Sequence, residues 1–145
     1  MLGFAWLTFR QADEALKNGR LEEAYRFLCQ PAAHGHKKSW ERWQRLARAF
    51  VERGRRRLGH DDPERAWADL IQAEQMGVPD TGADEFRHEL EYLGLTDVRA
   101  LLQAGEPAKA AEAVAALTAQ AVRHPDLKWL DEAARRWLEA REQAA

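Results

Sequence analysis

The sequence predicts an all-α protein, and three observations carry that reading. The strong helix formers Ala, Leu, Glu, Arg and Gln dominate, while Ile occurs once. No stretch of four or more residues alternates apolar with polar in a β-branched run, so strand signals are missing. Apolar residues return instead at i, i+3 and i+4, with Gly, Pro, Asp and Thr punctuating them at helix-length intervals. The chain has 145 residues, 46% hydrophobic and 32% charged. That length supports a core without disulfide or metal staples, and the composition excludes disordered and collagen-like classes. One domain over residues 1–145 is expected. The helical pattern has not run out at Ala145, so the domain fits equally as a piece of a longer protein.

The first element is an amphipathic helix. Leu2, Ala5, Trp6, Phe9, Ala12 and Leu16 form an inward stripe, and Arg10, Gln11, Asp13, Glu14 and Lys17 cover the rest. Phe4 and Leu7 lie off that stripe and, with Trp6, mark a candidate second interface, serving a homodimer or a neighbouring domain. The apolar run is expected to be this helix and not an export signal, since no Lys or Arg precedes it and Arg10 ends it early. It is about half of the roughly 20 residues a membrane span needs. Gly19 closes the helix as a C′ residue. A second helix over 20–30 turns Leu21, Ala24, Tyr25 and Leu28 inward and stops before Pro31. After a loop, Ser39 is the expected N-cap of a third helix, Trp40–Leu58, with Trp43, Ala47, Phe50, Gly54 and Leu58 inward.

The fourth helix has Asp62 as cap, Pro63 at N1, Glu64 on the dipole and Gly77 as terminator. Thr81 with Asp84 forms a capping box for a fifth helix carrying Phe86, Leu90 and Leu93. Gly94 is expected to end or bend it, and Thr96 to cap a short continuation. Glu106–Pro107 starts an Ala-rich helix that "HPD" breaks. A last helix follows, marked by Leu127, Leu130, Ala134, Trp137 and Leu138. The total is about eight helices joined by short connections, which favour antiparallel neighbours.

Three stretches share a local grammar: "ALKNGRLEEAYRFL", "RLGHDDPERAWADLIQAEQMG" and "LLQAGEPAKAAEAVAAL". In each, a Gly- or Asp-containing turn is followed by charges and then a small residue: Ala24, Ala66 and Ala110, spaced by 42 and 44 positions. A small residue lets two antiparallel helices on a tight turn approach closely. The Gly-x-x-x-x-Ala phrases of Gly19–Ala24 and Gly105–Ala110, with Gly54, Ala66 and Ala73 between them, resemble the tetratricopeptide repeat family. The units here are longer than that family's period of about 34 residues. The resemblance implies stacked helical hairpins and a groove, lined by the first helix of each pair, that holds a partner's peptide or helix. The alternative architecture is an irregular helical bundle.

Charge is distributed unevenly. Residues 37–57 hold nine Lys and Arg against two Glu, about +7, in a chain of net −2. Such asymmetry points to an acidic protein partner or to nucleic acid. The candidate partner-binding residues are Trp40, Arg42, Arg45, Arg48 and Arg56. Arginine holds carboxylates bidentately and Trp adds apolar contact. Nucleic-acid binding through 37–57 is the alternative function.

No catalytic constellation is present: no P-loop, nucleophile elbow, dinucleotide turn or zincin helix. Cys29, His34 and His36 fall short of a zinc set. Glu85 and His88 are a single copy of a motif that di-iron bundles need twice. The paired carboxylates Glu22–Glu23 and Asp61–Asp62 fall at helix starts, where the dipole accounts for them. The expectation is a non-enzymatic interaction domain with no metal, cofactor or membrane segment. The lone Cys29 fits a reducing, cytoplasmic setting.

Overall fold

The computed structural model describes the backbone of residues 2–144 and the side chains of residues 5–144. It is all-helical, with no strand among the described residues. The described residues form seven helices: α1 (Leu2–Lys17), α2 (Leu21–Cys29), α3 (Ser39–Gly59), α4 (Pro63–Gln75), α5 (Ala83–Gln103), α6 (Pro107–Ala119) and α7 (Pro125–Ala144). Contacts cluster into two compact units, Met1–Arg87 and His88–Ala145, and the boundary falls inside α5. In the first unit α1 packs on α2, α3 packs most extensively on α4, and α2 and α1 also touch α3. In the second, α6 packs on α7.

The turns after α1, α3 and α5 are built alike. Gly19, Asp61 and Gly105 have φ of 75°, 60° and 75°, the left-handed conformation that glycine, and less easily aspartate, accepts. The next residue's N–H returns to the helix: Arg20 to the Ala15 carbonyl (2.8 Å), Asp62 to Arg57 (2.9 Å) and Glu106 to Leu101 (2.9 Å). Those same residues start α2, α4 and α6, and their carbonyls accept from Ala24, Ala66 and Ala110 at 3.0, 3.1 and 3.0 Å. All three alanines are buried. Asp62 adds a side-chain cap on the Arg65 N–H, behind Pro63 at N1.

Several local expectations are corrected. Ser39 lies inside α3, and its hydroxyl donates to the His36 carbonyl at 2.6 Å. The N-cap is Lys38, whose N–H donates to His36 Nδ1. Thr81 Oγ1 accepts from the Ala83 N–H, two residues on, in place of a box with Asp84. Gly94 does not end a helix, because α5 runs through it, and the Thr96 hydroxyl donates back to the Tyr92 carbonyl. This is why seven helices form instead of eight. Gly94 serves close packing: a Cβ there would lie 2.5 Å from Leu117 Cδ2 of α6. The buried stripe of α1 is Ala5, Thr8, Phe9, Ala12 and Ala15, while Trp6 is 61% exposed. Trp137 and Leu93, expected inward, are also exposed.

Candidate functional site

The basic segment lies mostly on α3, and the fold distributes it unequally. Arg42 forms a bidentate pair with Asp13 of α1, Nε to Oδ1 at 2.9 Å and Nη2 to Oδ2 at 3.0 Å. Its guanidinium also covers the Phe9 ring at 4.5 Å. Arg45 approaches the same Asp13 at 4.0 Å but is about half exposed. Arg48 donates to the Asp80 carbonyl, and Arg56 is exposed on the next turns. Trp40 is 52% exposed. At 100° per residue it stands roughly 140–160° round the helix from Arg42, Arg45 and Arg56. The predicted residues therefore do not make one patch: Arg42 and Arg45 meet at Asp13, and Trp40 faces elsewhere.

Two further arginines are committed to a network that the sequence reading missed. Asp69 of α4 is 2% exposed. It accepts Arg53 Nε and Nη2 at 3.1 and 2.8 Å and Arg57 Nη1 at 3.0 and 3.1 Å. Arg53 also grips Glu22 of α2 with both terminal nitrogens. The network ties α2, α3 and α4 together. The signal for it was a charge on the inward side of a helix, since Asp69 falls between Ala66, Leu70 and Ala73.

The Arg53 hydrogen bonds hold Glu22 below the ordinary glutamate range, and the Glu22 and Asp69 carboxylates push Arg53 further up. A depressed carboxyl contributes stability that is fully present above its unfolded value and is lost as pH falls through the lower folded one. Glu22 is mostly exposed, so the effect on stability is small. An NMR titration of the Glu22 carboxyl should give a midpoint below that of an ordinary glutamate. Arg53→Lys, which cannot fork, should move it back up.

One cleft is lined by a single residue from each predicted set, Arg42 and Trp6. A cavity of about 420 Å³ is lined by Ala5, Trp6, Phe9, Arg10, Asp13, His36, Lys38 and Arg42. The α1 stripe supplies Phe9 as its wall, and the turn before α3 supplies His36 and Lys38. Phe9 meets the His36 ring edge-on at 5.3 Å, and Arg10 lies over the Trp6 ring at 5.5 Å. The lining holds three cations, Arg10, Lys38 and Arg42, and one carboxylate, Asp13, so the cleft is cationic as well as aromatic. Leu7 is exposed beside it, and the Phe4 side chain lies outside the described residues. The Arg10, His36 and Asp13 contributions were not identified from sequence, because the α1–α3 contact that gathers them spans some thirty positions.

Among the described residues, no group of three or more His, Cys, Asp or Glu side chains is arranged to hold a metal ion. Among them, no helix is long and apolar enough to cross a membrane. A larger cleft, about 690 Å³, lies by the α4–α5 connection, with the exposed acids Asp80, Asp84 and Glu85 in its lining. In comparison with known proteins, no family model, no curated protein and no solved structure matches this chain.

Proposed function

We propose that this chain is a non-catalytic, tetratricopeptide-like interaction module that binds an acidic segment of a partner protein. The cationic, aromatic cleft between α1 and the start of α3 carries the reading. Trp6 offers a large exposed ring, Arg10 and Lys38 offer charge, and Arg42 offers a fixed fork. The repeated hairpin turns and the buried Ala24, Ala66 and Ala110 support the tetratricopeptide-like architecture. Protein is favoured over nucleic acid because Arg53 and Arg57, within the same basic segment, are already held by Glu22 and Asp69. Part of the positive charge counted in the sequence is thereby neutralised. Arg45, Arg48 and Arg56 remain as a flanking basic surface on the partner's path.

A phage-displayed random peptide library tests the reading. Selected peptides should place Asp or Glu beside Leu, Phe or Trp. Trp6→Ala and the pair Arg10→Glu/Lys38→Glu should each weaken a selected peptide by about tenfold or more, the loss expected for an anchor at the centre of an interface. Selection of basic peptides, or of none, would overturn it. So would tighter binding to single-stranded RNA that falls steeply with salt, the mark of phosphate contacts.

A further inference from the structure

We infer that Asp13 is a positioning residue, holding Arg42 as a pre-set carboxylate receptor for an Asp or Glu side chain of the partner segment. The inference rests on the proposed function, since it concerns the same cleft. An arginine fork carries five N–H groups. In Arg42 three are engaged: Nε and Nη2 on the Asp13 carboxylate, and Nη1 on the Lys38 carbonyl at 3.0 Å. Two N–H groups, one on each terminal nitrogen, are left over. The side chain is 22% exposed and lines the cavity.

Three independent constraints fix the plane of that guanidinium: the bidentate carboxylate, the backbone carbonyl and the Phe9 face at 4.5 Å. A free arginine loses considerable side-chain freedom when it grips a ligand. One held in place beforehand has already lost it, so affinity rises without a new contact. The occupant follows from charge and shape. The cleft offers Arg10, stacked on Trp6, and Lys38 as cations with no carboxylate pair among the described residues, and the Trp6 and Phe9 rings as apolar wall. A carboxylate on Arg42, with a large apolar neighbour against Trp6, satisfies both.

The sign of one substitution separates positioning from bulk charge. Asp13→Asn makes the cleft more positive. Were Asp13 only a competing anion, the variant would bind an acidic peptide more tightly. As a positioning residue, its loss frees Arg42, and binding weakens.

The test uses the full chain and one library-selected peptide containing a single Glu, alongside the same peptide with that Glu changed to Gln. Wild type should prefer the Glu form by about tenfold, as charge-assisted pairing allows. Asp13→Asn should weaken the Glu peptide about fivefold and leave the Gln peptide nearly unchanged, collapsing the preference. Arg42→Lys keeps the charge and loses the fork. It should produce a similar loss, and the double variant should lose no more than either single, since both remove one device. If Asp13→Asn unfolds the chain, the Glu preference of Arg42→Lys decides alone, because a retained preference would remove the fork from recognition. Tighter or unchanged binding by Asp13→Asn overturns the inference while leaving the interaction function standing. Absence of any selected peptide overturns the function itself.

Discussion

Replacing Asp69 by alanine is expected to destabilise the folded chain by about 3–5 kcal/mol, the range for breaking a buried ion pair by removing one partner. The carboxylate is almost wholly out of water and accepts from two arginines. Arg53 is only 18% exposed and Arg57 30%. Without Asp69, Arg57 loses the carboxylate it pairs with and Arg53 keeps only Glu22. The loss should be lopsided. Arg57→Ala should cost clearly less than Asp69→Ala, because Arg53 continues to satisfy the carboxylate. Urea unfolding followed by circular dichroism measures all of these variants. A cost below about 1 kcal/mol for Asp69→Ala would place the network among surface pairs that contribute little. Replacing Asp69, Arg53 and Arg57 together by Leu, Met and Leu should recover most of the loss. The damage lies in the uncompensated charge more than in the missing attraction.

The parts of the fold legible in sequence are those decided by neighbours a few residues apart. Gly19, Asp62, Pro63, Gly77 and Gly105 do at their helix ends what their chemistry requires, and Ala24, Ala66 and Ala110 are buried as their spacing suggested. Register within α1 was not legible. The expected stripe of Leu2, Ala5, Trp6, Phe9, Ala12 and Leu16 shares Ala5, Phe9 and Ala12 with the observed one, but Thr8 and Ala15 are buried where Trp6 and Leu16 were expected, and the Leu2 side chain lies outside the described residues. Small Ala5, Ala12 and Ala15 are buried on the side of α1 that packs on its neighbours, where a Trp would hold the helices apart. Gly94 misled for a related reason. In sequence a glycine between apolar turns reads as a stop, yet here it makes room for Leu117.

Charge pairing was the least accessible. The Arg42–Asp13, Arg53–Glu22 and Arg53–Asp69 pairs join residues 29, 31 and 16 positions apart. A count of basic residues along α3 cannot reveal which of them already have anions. The candidate cleft inherits this difficulty, since Arg42 was visible and its carboxylate partner was not.

The close approach of Phe86 to Gly54 sets the second large effect. Phe86 of α5 is fully buried, and its ring reaches the backbone of α3 at Gly54. Phe86→Ala should cost about 3–5 kcal/mol through lost apolar burial and the cavity left behind. Gly54 poses the reverse problem. A Cβ there would stand 2.7 Å from Phe86 Cε2, closer than van der Waals contact permits, and 3.2 Å from Asp69 Cβ, tighter than ordinary contact. Mid-helix Gly→Ala is ordinarily worth about 1 kcal/mol in favour of the helix. Overpacking a close-fitted core costs about 1–3 kcal/mol. The second effect should win, because Phe86 is enclosed and Asp69 is held by two arginines, so neither neighbour can yield cheaply. Gly54→Ala is therefore expected to lower the urea midpoint. Adding Phe86→Leu, which removes the ring edge that clashes, should cost less on the Gly54→Ala background than on wild type. That non-additivity is the signature of two residues sharing one space. A Gly54→Ala variant more stable than wild type would mean that α3 and α5 are not in the contact that gives Gly54 its place in the sequence.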